Sequence, residues 1–283
     1  MKTVFTLTSA ESRRLIAKAV VQMPEFKKAW ESAYVLLAGG TTNAFIAQEV
    51  GYDVDPGRCS VGISTDGLLC VTHPASRKSF PNVFYKGEPS AKELNEALCD
   101  FHVETIVIKG ANAVDMQGNV GVVTGGFDGG TIPRVIGPVT SNGLKYITPV
   151  GLEKLVPSVP DACRAVGARN IDISMGSDFG MYCLANTIIV TELTAIKLLF
   201  GLTGVLVCCG GVGGNEGAVT LAVDGDEETV KALVAFLESE VKGEPPVAGN
   251  KGICSDCRYK RCRYNGLKAE ELPDWMKKKG IAQ

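Results

Sequence analysis

The residues best suited to chemistry sit at three glycine-bearing junctions and in one cysteine-rich segment. The first junction, Gly39-Gly40-Thr41-Thr42-Asn43, follows an apolar run and opens a helical pattern. A helix N-terminus leaves amide N–H groups unpaired and carries partial positive charge, so it favours a phosphate or carboxylate. Gly39 and Gly40 let a ligand approach the backbone, and Thr41, Thr42 and Asn43 add side-chain donors. The same residues also fit a plain tight turn in which a threonine only caps the helix. Neither the G-x-G-x-x-G nor the G-x-x-x-x-G-K-[ST] nucleotide fingerprint is present here.

The second junction runs from Ile106-Val107-Ile108 into Lys109-Gly110-Ala111-Asn112-Ala113-Val114-Asp115. Ligands of parallel sheets bind beyond the carboxyl ends of the strands, so Lys109, Asn112 and Asp115 fall on the expected functional edge. The third is Gly125-Gly126-Phe127-Asp128-Gly129-Gly130. Together the three would enclose a polar cleft. Thr41, Thr42 and the amides after Gly40 would hold an anion, with Asn112, Gly125 and Gly126 nearby. Lys109 would neutralise charge, and Asp115 or Asp128 would move a proton. Two further carboxylates have two readings each. Glu192 either faces the cleft or caps a helix starting near Thr194, and Glu216 lies either in a second ligand loop or in a flexible hairpin.

Cys254, Cys257 and Cys262 stand in C-x2-C-x4-C spacing. A C-x2-C pair suits zinc and a third thiolate improves the fit, although a fourth protein ligand is missing locally. Iron–sulfur ligation with a remote or exogenous fourth ligand is the other metal reading, and three free thiols the alternative to both. Arg258, Lys260, Arg261 and Arg263 would favour the thiolate form and a redox role, or form a small solvated basic patch.

The elements that must position these residues follow from periodicity. Apolar Leu15, Ile16, Ala19 and Val20 predict a first helix over residues 9–22 with Ser9 as its cap, and Pro24 opens a second. A strand at 34–38 and a helix at 41–50 make the first half of a βαβ unit. Short strands are expected at 59–63, 68–72 and 83–85, then a helix over 91–101 capped by Ser90. Strands follow at 104–108, 119–123 and 144–149. Strands alternating with helices predict an α/β fold, a doubly wound and mainly parallel Rossmann-like sheet, over residues 1–178. Residues 179–248 read as strand–helix–strand–strand–helix, a smaller α+β module of ferredoxin-like type. Residues 249–283 form a cysteine-containing tail beyond Pro245-Pro246.

Composition narrows the classes. Net charge is −2 over 283 residues with signs intermixed, so no basic field draws nucleic acid or an anionic membrane. No window reaches about 18 apolar residues free of charge or glycine, and no signal peptide is expected from the N-terminal stretch. Ten cysteines, most standing singly in apolar segments, fit a reducing, cytoplasmic setting better than a disulfide scaffold. The two histidines, His73 and His102, offer little for a histidine-based mechanism. Apolar faces in the second module predict a homo-oligomer.

The order of these features resembles the superfamily of ribose-5-phosphate isomerase, glucosamine-6-phosphate deaminase and the CoA transferases. Its isomerase branch has a glycine–threonine phosphate loop, a D-G-A-D-E run, a lysine–glycine loop and a closing D-E-S-K. Residues 39–43, 109–115 and 125–130 resemble the first three, and Val150-Gly151-Leu152-Glu153-Lys154 the last. The resemblance spans residues 30–160 and implies a phosphosugar or CoA-ester ligand with isomerase- or transferase-type chemistry. Lys109, Asn112 and Ala113 stand where that branch carries acids, and no counterpart of a nucleophilic glutamate is found. A non-catalytic metabolite sensor, or a metal- or redox-linked protein acting through its cysteine tail, are the alternatives on the same scaffold.

Overall fold

The computed structural model describes residues 1–278. Strand β1 (Lys2–Leu7) leads into α1 (Ser9–Gln22), which is capped by Thr8 rather than Ser9. Thr8 Oγ1 accepts the Glu11 amide at 3.2 Å and a Glu11 carboxylate oxygen accepts the Thr8 amide at 2.9 Å, closing a capping box. Helix α2 (Pro24–Ser32) is set by proline in its first turn, and β2 (Tyr34–Leu37) follows it. The chain continues through α3 (Thr41–Glu49), the hairpin β3 (Gly62–Thr65) and β4 (Leu68–Val71), then β5 (Val83–Tyr85) and β6 (Glu88–Pro89). Short α4 (Leu94–Ala97) precedes β7 (Ile106–Ile108), β8 (Ala113–Val114) and β9 (Val120–Thr124). Next come α5 (Thr131–Asn142), β10 (Lys145–Pro149), α6 (Val159–Ala165), β11 (Gly180–Leu184) and β12 (Ile188–Val190). The remainder is α7 (Glu192–Phe200), β13 (Thr203–Cys209), β14 (Val219–Asp224), α8 (Glu227–Glu240) and α9 (Asp274–Lys278).

The fold is mixed α/β, built on a six-stranded sheet of order β12-β10-β7-β2-β5-β6. Its four strands from β12 to β2 are parallel, while β5 and β6 add an antiparallel edge. Alternation in the central strands serves two cores. Val35, Leu37, Ile106, Ile108 and Ile147 pack toward α1, α3 and α7; Tyr34, Leu36, Val107 and Tyr146 pack toward α5. Side chains point to opposite faces with period two, so strands covered by helices on both sides must be apolar throughout.

The sheets do not follow the boundary expected at residue 178/179. Strand β12 leaves the second module to join the parallel sheet. Its place is taken by β1 from the N-terminus, which pairs antiparallel with β14 in a three-stranded sheet of order β1-β14-β13. Val219, Leu221 and Val223 of β14 and Val230 and Leu233 of α8 share one buried cluster with the face of the parallel sheet that meets α1. The expected ferredoxin-like pattern is therefore replaced by a sheet closed from both ends of the chain. Strand β9 also departs from expectation. It lies not in the parallel sheet but in a separate antiparallel sheet, β11-β9-β8, because the turn after Asp115 folds it straight back on β8.

Ser90 does not start a long helix over 91–101. Glu93 caps a short α4, and the Ser90 hydroxyl accepts the Lys92 amide. Helices α5 and α6 were not legible by pattern. Pro133 falls in the first turn of α5, where its missing N–H is harmless, but Pro138 sits inside the helix. Among the described residues no helix is long and apolar enough to cross a membrane. Of the cysteine tail, residues 279–283 lie outside the described residues.

Candidate anion-binding site

The first glycine junction borders a cavity of about 570 Å³. Ala38 and Gly39 form one wall, and Arg58, Arg77, Lys92 and Arg134 supply cationic side chains to the others. Thr131, at the start of α5, and the buried hydroxyl residue Ser60 also face it. Glu93 is the one acidic residue on the lining. Gly39 is a close-approach position: a Cβ there would sit 3.1 Å from the Cys59 carbonyl oxygen. That contact brings the turn at 55–60 against the β2–α3 junction. The turn is built by Asp55, whose Oδ1 accepts the Gly57 amide at 2.9 Å and caps the single turn ending at Arg58.

The four cations are not equivalent. Lys92 is paired with Asp100, and Arg134 Nη2 lies 3.0 Å from Asp128 Oδ2. Arg58 and Arg77 are half-buried, and among the described residues neither has a carboxylate within ion-pair distance. Each is oriented by a backbone carbonyl instead. Arg58 Nε donates to Ser76 O at 2.9 Å, and Arg77 donates Nε and Nη2 to Thr72 O at 3.0 and 2.7 Å. Burial and the nearby Arg258 pull the Arg77 pKa down. Half-buried guanidinium groups held in place by neutral acceptors, with N–H groups left over, suit a bidentate oxyanion.

Thr41, Thr42 and Asn43 open α3 as the sequence predicted, and among the described residues their amides have no protein acceptor. The Asn43 side chain serves the fold, however. Asn43 is fully buried, and its Nδ2 donates to Ala38 O at 2.6 Å and Ile108 O at 3.0 Å, tying the glycine junction to the end of β7. Thr42 is buried as well. The wall of the cavity is the backbone at Ala38 and Gly39 rather than the hydroxyls expected from sequence.

The other expected site residues lie elsewhere. Asp115 is buried and works as a structural hub, not as a free base. Oδ1 accepts the Gln117 and Asn119 amides at 3.0 and 2.9 Å, and Oδ2 accepts Asn119 Nδ2 and the Val159 amide, each at 2.9 Å. Burial alone would raise its pKa, but these donors outweigh burial and hold it low. Asn112 Oδ1 accepts the Val123 amide at 3.0 Å and so locks β8 to β9. Asp128 is exposed. Its Oδ1 accepts the Gly130 amide at 3.1 Å, which with Arg134 lowers its pKa. Gly125, Gly126 and Asp128 line a second cavity of about 620 Å³ together with Arg169, Asn170 and Tyr182. The first and third glycine junctions thus line separate cavities rather than one cleft, because β9 belongs to the antiparallel sheet, and the 109–115 junction lines neither.

Lys109 follows β7, has no ion-pair partner among the described residues, and does not line the cationic cavity. Burial lowers its pKa. Lys154 Nζ donates to Ala111 O at 3.0 Å, two residues beyond Lys109, and its pKa is pushed down to about 8 by burial and by Arg13, against the pull of Glu153 and Glu192. Glu192 is fully buried and begins α7, with Thr191 as the cap. Its oxygens accept the Leu152 amide at 2.9 and 3.3 Å, and burial, partly opposed by that amide, raises its pKa. Glu216 accepts the Gly214 amide at 2.9 Å on the exposed β13–β14 loop.

Sequence reasoning missed Arg58, Arg77, Lys92, Glu93, Thr131 and Arg134. The Asp55-Pro56-Gly57-Arg58 turn was the one local signal; the others are ordinary surface charges until the fold gathers them. Among the described residues no group of three or more His, Cys, Asp or Glu side chains is already arranged to hold a metal ion.

No protein-family model and no curated protein matches the chain. Several solved structures match, among them one enzyme. It is ribose 5 phosphate isomerase A from Neisseria gonorrhoeae, at 12% identity and a TM-score of 0.28 over 84% of this chain and 86% of that one. A likeness of this size carries no weight for the site.

Proposed function

We propose that the cavity between the β2–α3 junction and the start of α5 binds a small phosphorylated or carboxylated metabolite, a phosphosugar or a CoA ester being the chemical classes that fit. The observation that carries this reading is the pair Arg58 and Arg77, half-buried and without carboxylate partners, facing the same cavity as the Gly39 backbone. A desolvated guanidinium without a counter-charge is costly, and a bound oxyanion relieves that cost. Thr131, in the first turn of α5, lines the same cavity and adds that helix's positive end to it.

Ligand retention is better supported than turnover. Asp115 is saturated with protein donors and Asp128 is paired with Arg134, so neither is poised to take a substrate proton. Isomerase- or transferase-type chemistry in this cavity would fall to Glu93, the carboxylate on its wall.

Thermal-shift titration with inorganic phosphate, phosphosugars and CoA esters tests the reading, since a ligand of the native state raises its stability by mass action. Dose-dependent stabilisation by one of these classes is expected, and it should be lost in Arg58→Ala and Arg77→Ala. No stabilisation by any class, or equal stabilisation of wild type and both variants, would overturn it.

A further inference from the structure

The cysteine tail meets a fourth cysteine from far along the chain. Cys70 of β4 lines a cavity of about 300 Å³ together with Cys254, Cys257 and Cys262. Two backbone pairings bring the segments together. Thr72 pairs with Lys251 beside the hairpin, and Ser174 pairs with Cys262. Gly252 N donates to Val71 O at 2.9 Å, which anchors the tail directly beyond β4.

We infer that Cys70, Cys254, Cys257 and Cys262 form a four-thiolate centre for one zinc ion, with Cys70 the ligand that the local C-x2-C-x4-C spacing lacks. Four sulfurs from two segments on one cavity complete the tetrahedral set that structural zinc requires. The Cys254–Cys257 pair already forms a tight knuckle. Cys254 O accepts the Cys257 amide at 3.2 Å and the Gly266 amide at 2.9 Å, and Asn265 Nδ2 donates to Cys257 O. Such bonds orient a ligand-bearing loop.

Charge and stability point the same way. Four thiolates around Zn²⁺ leave a net negative centre; Arg258 lines the same cavity, and Lys251 Nζ stands 3.9 Å from Cys254 Sγ. The segment 249–273 carries no strand and only a single helical turn at 269–271. Its apolar support is a small cluster, Leu68, Tyr264, Leu272 and Met276, with Cys70, Cys254 and Cys262 packed around it. Loop-rich segments with so little core are commonly stapled by metal. The sulfurs are not drawn to ligand spacing, so binding turns the side chains inward about χ1 and releases the thiol protons.

The experiment uses the full chain, purified under reducing conditions, incubated with zinc and freed of excess. Metal analysis should find one zinc per chain in wild type and in Cys99→Ser, whose cysteine is exposed and remote in sequence from the cluster. Cys70→Ser should lose most of it. Because a variant can also fail by misfolding, alkylation of wild-type Cys70 is followed by mass spectrometry with and without chelator. Protection that the chelator removes supports the assignment. Wild type without stoichiometric metal, unchanged metal in Cys70→Ser, or Cys70 alkylated equally in both conditions overturns it. Iron and sulfide in place of zinc would overturn the choice of metal while keeping the four ligands.

Discussion

Arg77 grips the carbonyl of Thr72 with both Nε and Nη2, at 3.0 and 2.7 Å, and so stands in the wall between two cavities. On one side is the cationic cavity beside Gly39; on the other are the four cysteines. Thr72 is fully buried and also pairs with Lys251. A single backbone segment therefore sets the position of a proposed anion ligand and of the tail.

Replacing Arg77 or Arg58 by alanine should weaken anion binding by about 10- to 100-fold, the loss expected for one charge-assisted hydrogen bond of about 1.5–3 kcal/mol. Arg77→Lys should recover only part of it, because an ammonium cannot make the two-pronged contact. Isothermal titration with the best ligand from the thermal screen measures both. Equal affinity in all three proteins would remove Arg77 from the site.

Asp115→Ala should destabilise the fold by about 2–4 kcal/mol, since it strands several buried donors at once. Anion binding by the folded fraction should persist. The wild-type carboxyl has its folded pKa below the ordinary 3.8. The unfolded state then takes up the proton first as pH falls. The contribution is complete above about pH 5 and disappears on acidification through the folded pKa. Denaturant unfolding of wild type and variant between about pH 7 and pH 2 should show the two stabilities converging at the acid end.

Lys154 titrates in the other range. Its folded pKa is about 8, depressed from the ordinary 10.5. Between those values the unfolded chain holds a proton that the folded chain has released, so wild-type stability should rise with pH across that window. Lys154→Met should lack that rise. Stability curves of the two proteins running parallel from about pH 7 to pH 10.5 would remove the buried ammonium as the cause.

Gly125→Ala should loosen the tail. A Cβ at that position would lie 2.7 Å from the Tyr259 hydroxyl, which is buried against it. Clash at a packed contact of this kind costs about 1–3 kcal/mol. Limited proteolysis should then cut within 249–278 sooner than in wild type, while the parallel sheet resists as before. Unchanged cleavage would show that Tyr259 does not hold the tail in place.

Local pattern was enough for much of the frame. Helices α1, α2, α3 and α8 and strands β2, β7, β10 and β14 lie where apolar spacing, caps and glycines put them. The unpaired amides at the start of α3 were legible for the same reason. Helix α5 was not, because Pro138 inside it breaks the helical signal, and with it went Thr131 and Arg134. The roles of Asp115 and Asn112 were also hidden, since their hydrogen bonds reach Val159 and Val123 across turns that no spacing rule describes.

The sequence by itself determined an α/β chain with a glycine-led helix start and three cysteines in C-x2-C-x4-C spacing near its end. Tertiary structure alone decided that β1 and β12 would change places between sheets, that Arg58 and Arg77 would face Gly39, and that Cys70 would meet the tail. Periodicity reports neighbours two to four residues apart. A site assembled from residues 39, 58, 77 and 134, or from 70 and 254–262, depends on long-range strand pairing and core packing, and neither leaves a local trace.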